Sequence, residues 1–136
     1  MSKLLAESYI VVVEDDPNDQ LITLDLLRLG GANRCFCRKT VDSAISFAEK
    51  LPQVDLFLVD INIPERSGYE LLAEVRTNDQ FKSAYVVALT AGTSTREVGK
   101  ARELGFDGFL SKPLKPNAFS NQVQEILEGE AIWDHR

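Results

Sequence analysis

An α/β fold, with one parallel sheet covered by helices on both faces, is what this sequence predicts. Three observations point to it. Short apolar runs alternate with helical apolar stripes five times, joined by short connections. The central run, Leu56-Phe57-Leu58-Val59, is apolar without alternation, as in a strand buried on both faces. The runs end in polar residues that a parallel sheet would gather on one edge, where open α/β sheets bind ligands.

The chain has 136 residues, 44% hydrophobic and 26% charged, with a formal net charge of −6. That length suits one domain with a full core. The composition is that of a folded protein. The negative balance gives no electrostatic footprint for nucleic acid. Neither a membrane span nor a signal-peptide core is present in the sequence, so a cytoplasmic protein is expected. Cys35 and Cys37 would share one strand face at roughly 6.5–7 Å, a poor distance for a disulfide. They read as small hydrophobes. The lone histidine, His135, cannot build a His/Cys metal cluster.

Tyr9-Ile10-Val11-Val12-Val13 is the first strand, ending in Glu14, Asp15 and Asp16. Asp16 caps a helix with Pro17 at its first position. Leu21, Ile22, Leu24, Leu26, Leu27 and Leu29 form a broad apolar face, and Gly30-Gly31 stops it. Arg34 to Thr40 is a second, weaker strand. Asp42 then caps a helix built on Ala44, Ile45, Phe47, Ala48 and Leu51, ended by Pro52. The third strand is Asp55 to Asp60. Ser67 and Glu70 have capping-box spacing, ahead of the stripe Tyr69, Leu71, Leu72 and Val75. Strand four runs from Ala84 to Leu89 and ends at Thr90. Ser94 and Glu97 repeat the capping spacing, with Val98, Ala101 and Leu104 behind them and Gly105 as the stop. Strand five is Phe106 to Leu110, followed by Ser111-Lys112-Pro113. A last helix starts near Pro116, carries Phe119, Val123, Ile126 and Leu127, and ends at Gly129. A polar tail follows, with Trp133 as an end-of-chain residue.

The strand ends therefore offer Glu14 and Asp15, Asp60, Thr90, and Lys112. Three carboxylates suit a hard cation, above all Mg²⁺, which binds through few carboxylates and keeps waters. A threonine hydroxyl and an ammonium beside such an ion fit a phosphoryl group. A central aspartate then has the chemistry of a nucleophile that forms an aspartyl phosphate.

These residues resemble the receiver domain of two-component response regulators. The matching pieces are Val13-Glu14-Asp15-Asp16-Pro17, Leu58-Val59-Asp60-Ile61-Asn62-Ile63-Pro64 with Ser67-Gly68, Leu89-Thr90-Ala91, and Ser111-Lys112-Pro113. Their order and spacing fit as well. The resemblance implies a flavodoxin-like sheet of five strands in order 2-1-3-4-5. It implies one receiver domain over 1–136, with its core at about 8–128 and 129–136 as a C-terminal tail. Asp60 matches the phosphoacceptor. Glu14, Asp15 and Asp60, with the Asn62 backbone carbonyl, match the Mg²⁺ ligands, and Mn²⁺ is expected to substitute. Thr90 and Lys112 match the phosphoryl-binding hydroxyl and lysine, and Phe109 the switching aromatic. The Lys112-Pro113 peptide is expected to be cis. Asn62 and Gly92 occupy the positions that tune hydrolysis.

The implied function is phosphoacceptance in a phosphorelay. The donor would be a phosphohistidine on a sensor histidine kinase or phosphotransfer protein. Output would go to a protein partner through the helix-four, strand-five, helix-five face. Direct DNA binding, membrane association and enzymatic turnover of a diffusible substrate are not expected. Arg96, Lys100 and Arg102 on helix four do not suit the charge-matched dimer of DNA-binding relatives. Two alternatives remain: a phosphorylation-independent pseudo-receiver, and an aspartyl-phosphate phosphatase. The phosphatase would need a second carboxylate where Asn62 stands.

Overall fold

The computed structural model describes residues 4–91 and 95–134. A 3-10 turn, Leu5–Glu7, leads into β1 (Tyr9–Val13), α1 (Pro17–Leu29), β2 (Arg34–Arg38), α2 (Val41–Ala48), β3 (Leu56–Asp60), α3 (Gly68–Thr77), β4 (Tyr85–Thr90), α4 (Thr95–Leu104), β5 (Gly108–Ser111), α5 (Phe119–Leu127) and β6 (Ile132–Asp134). The strands form one sheet in the order β2-β1-β3-β4-β5-β6. Every pairing is parallel.

The pleat sorts the apolar residues. Val11, Val13, Phe57, Val59, Val86, Ala88 and Phe109 pack with α2, α3 and α4 on one face. Ile10, Val12, Leu56, Leu58, Val87, Leu89 and Leu110 pack with α1 and α5 on the other. Alternate side chains on a strand point to opposite faces, so both faces must be apolar for both to be covered. That explains the unbroken apolar run of β3.

The first five strands take the expected order. The tail departs from expectation, because Ile132–Asp134 is not loose chain but a sixth strand. It pairs with β5 in the register Gly108↔Ile132, Phe109↔Trp133 and Leu110↔Asp134. Gly108 makes room for it, since a Cβ there would meet the Ile132 carbonyl oxygen at 3.0 Å. Trp133 packs against the α2–α3–α4 side of the core, with the Arg102 guanidinium 4.7 Å from its ring centre. A three-residue strand with one apolar pair is too short to show a period, so the sequence carried little sign of it.

Local boundaries shift for identifiable reasons. Thr40, not Asp42, caps α2, its side chain accepting from the Ser43 amide. Gly105 adopts φ +106, and the Phe106 amide reaches back to the Ala101 carbonyl. Phe106 therefore closes α4 in a Schellman-type cap and β5 begins later than expected. Leu104 is 52% exposed rather than part of the α4 stripe. On α1, Leu27 is buried, whereas Leu21, Ile22 and Leu29 are exposed. Its apolar face is thus wider than the sheet can cover. The expected cap at Ser94 lies outside the described residues.

Candidate phosphoryl and metal site

The carboxyl ends of β1, β3 and β5 carry Glu14, Asp60 and Lys112, with Asp15 next to Glu14. Glu14, Asp60 and Lys112 continue the alternation of Val12, Leu58 and Leu110, so all three fall on the α1–α5 side of the edge. The Lys112 ammonium donates to Glu14 Oε1, to Asp60 Oδ2 at 2.9 Å and to Asp19 Oδ2 at 2.9 Å. Glu14, Asp15 and Asp60 each place a carboxylate oxygen within 4.8 Å of the others. Asp15 is exposed and opens the cluster to solvent, whereas Glu14 is only 1% exposed.

Burial pushes the Glu14 carboxyl up from its ordinary value, against the lowering effect of its hydrogen bonds from Lys112 and the Asp16 amide. Burial also pulls the Lys112 ammonium down. The hydrogen bonds to Glu14, Asp19 and Asp60 outweigh that, and the group is held above an ordinary lysine. Lys112 therefore stays cationic across the physiological range.

The other side of Asp60 is held by backbone. The Asn62 amide donates to Asp60 Oδ1 at 2.9 Å. The Asn62 side chain donates to Thr90 Oγ1 at 3.1 Å. Thr90 is fully buried at the end of β4. Gly68 tightens this corner: its amide bonds the Ile61 carbonyl, and a Cβ there would meet Ile61 Cα at 3.0 Å. The Ser67–Glu70 capping box starts α3 directly behind it. The Lys112-Pro113 peptide is cis.

The family model for the response regulator receiver domain matches residues 10–124. The chain belongs to this family. Among its curated relatives is the two-component response regulator ORR11 of Oryza sativa, 28% identical over 125 residues, covering 90% of this chain and 82% of that protein. ORR7 of the same species is 26% identical over 88% of this chain, which spans 56% of ORR7. The hybrid signal transduction histidine kinase D of Dictyostelium discoideum is 30% identical, and this chain spans 8% of it. Among solved structures, the chemotaxis response regulator CheY4 of Vibrio cholerae shares the fold with a TM-score of 0.79 at 24% identity, covering 88% and 98% of the two chains. A LuxR family DNA-binding response regulator from Silicibacter pomeroyi has a TM-score of 0.76 at 26% identity, covering 92% and 95%.

In this receiver domain the donor set fits Mg²⁺, which binds through few carboxylates: hard carboxylate oxygens within 4.8 Å of one another, with Asp15 exposed to solvent. Phe109 is fully buried among the α2–α3–α4 side residues, with Trp133 beside it in register. Gly92 lies outside the described residues. Two contributors escaped the sequence reading. Asp19 joins Lys112 from the first turn of α1, where an acid reads as a helix-dipole residue. Arg66 ties the β3–α3 loop to Asp42 at 2.5 Å, Glu70 at 3.2 Å and Glu74 at 2.8 Å. Only the Glu70 contact has a sequence signal, the i,i+4 spacing.

Proposed function

We propose that the chain is a phosphoacceptor of a two-component phosphorelay, taking a phosphoryl group on Asp60 from a phosphohistidine of a sensor histidine kinase or phosphotransfer protein. The observation that carries this is the placement of the Asp60 carboxylate between the Lys112 ammonium and the Glu14–Asp15 pair. Glu14, Asp15, Asp60 and the Asn62 backbone carbonyl would hold Mg²⁺, with Mn²⁺ as a substitute. The ion supplies positive charge against which phosphoryl oxygens are stabilised.

The rest belongs to the chain itself. The Asn62 amide holds Asp60 Oδ1 and Lys112 holds Oδ2, so the nucleophile is fixed before a donor arrives. Its attack on phosphorus displaces the imidazole and leaves an acyl phosphate on Asp60. Lys112 balances charge on the phosphoryl oxygens, and Thr90 Oγ1 donates to one of them after leaving Asn62. Phe109 is the aromatic that follows Thr90. Asn62 and Gly92 tune hydrolysis. No diffusible substrate is consumed, and output passes to a protein in the cytoplasm rather than to DNA.

The surface read by that protein is formed by α4, β5 and α5, with β6 now lying along its β5 edge. Incubation with Mg²⁺ and a small phosphodonor is expected to add one acid-labile phosphoryl group, and Asp60→Asn to abolish it. Equal labelling of the variant would sink the assignment. The complete acidic pair and lysine argue against a phosphorylation-independent module, and Asn62 offers no carboxylate for ester hydrolysis.

A further inference from the structure

Lys112 has no donor to spare. An ammonium offers three N–H groups, and here Glu14, Asp60 and Asp19 each accept from it. A phosphoryl group on Asp60 brings new anionic oxygens to this corner. One phosphoryl oxygen can take over the donor now held by Asp60 Oδ2; for Lys112 to meet a second, another carboxylate must let go. Glu14 is a poor candidate, since its side chain is 1% exposed and water cannot take the place of the ammonium there. Asp60 carries the phosphoryl group. Asp19 is 37% exposed, so water can replace the ammonium at little cost.

Asp19 is also fixed from its own side. Its amide donates to Asp16 Oδ2 at 2.9 Å, and the Asp16 amide donates to Glu14 Oε2 at 3.1 Å. The first turn of α1 thus fixes the Asp19 backbone within reach of Lys112 independently of the ammonium.

We propose, resting on the reading of Asp60 as phosphoacceptor, that Asp19 is an internal competitor of the phosphoryl group: its carboxylate occupies the Lys112 donor that the phosphoryl oxygens take over. It keeps Lys112 in place in the unmodified protein, yields to the phosphoryl group, and returns when that group leaves. Its presence sets how tightly the modified site holds its ligand. Asp19 is a positioning residue that acts through Lys112.

The test is a titration of the intact chain with beryllofluoride, a phosphoryl mimic, at fixed Mg²⁺, followed by ¹⁹F NMR of the bound species. Asp19→Asn keeps the shape and removes the charge. It is expected to tighten beryllofluoride binding roughly two- to five-fold, the scale of one partly exposed ion pair. Mg²⁺ affinity without fluoride should not weaken. Asp19→Ser, also compatible with a first helical turn, should move binding in the same direction. A folded Asp19→Asn chain that binds the mimic equally well or more weakly overturns the competitor role. Asp60→Asn is the separating arm. Loss of binding there supports Asp60 as the anchoring carboxylate. Undiminished binding removes that reading, and the competitor role falls with it.

Discussion

At the scale of single residues, the polar ends of the strands were legible because parallel strands gather their carboxyl ends on one edge. Glu14, Asp60 and Lys112 also share a pleat parity, and the structure brings them into contact. Asp19 and the side chain of Asn62 were not legible. Their contacts depend on how α1 and the β3–α3 loop lean over the edge, and spacing along the chain does not carry that. Gly68 shows the tightness of this corner. A methyl group there would press on Ile61 Cα at 3.0 Å and on the Asp60 carbonyl oxygen at 3.3 Å. Gly68→Ala is therefore expected to lower stability by about 1–3 kcal/mol, read as a reduced denaturant midpoint, and to shift the Asp60 and Ile61 amide resonances. Cys37 supplies a pH prediction. Burial, with help from the Glu14 charge, pushes its thiol up from 9.0 to about 11. Between these values the folded chain keeps a proton that the unfolded chain gives up, so stability falls as pH rises through that window. Alkylation of Cys37 should follow an inflection near 11 in the folded protein. An inflection at 9.0 would contradict its burial beside Glu14.

Among the elements, five strands and five helices were legible from apolar alternation and stop signals, whereas caps moved by a few residues. Thr40 displaced Asp42 because the residue in extended conformation just before the first turn has its side chain free to accept the amide. The tail was misjudged. Its pattern is too short for periodicity, and the residue opposite Ile132 is a glycine, Gly108, whose missing side chain leaves no apolar signal there. β6 covers what would otherwise be the open edge of β5, a liability for pairing with other chains. Removing residues 131–136 is expected to cost about 1–3 kcal/mol through the half-buried Ile132 and Trp133. It should also promote concentration-dependent association through the bared edge. Denaturant melts and sedimentation would check both. An unchanged midpoint would show that β6 contributes nothing to the fold.

Across the whole molecule, the sheet is a platform on which two apolar layers fix the backbone and one edge is left for chemistry. The acidic pair and Asp60 place anionic oxygens close together there. A divalent cation that binds only the folded chain must stabilise it, by about 2.7 kcal/mol at a hundred times its dissociation constant. Mg²⁺ is expected to raise the melting temperature of the native chain and to do so much less for Asp15→Asn. An equal rise in both would place the ion elsewhere. The central claim, that Asp60 receives the phosphoryl group, is tested most directly by trapping. The chain is phosphorylated with Mg²⁺ and a small phosphodonor, the acyl phosphate is reduced with borohydride, and the altered residue is located by peptide mass spectrometry. Reduction at Asp60 alone is the predicted result; an altered residue anywhere else, with Asp60 intact, would contradict it.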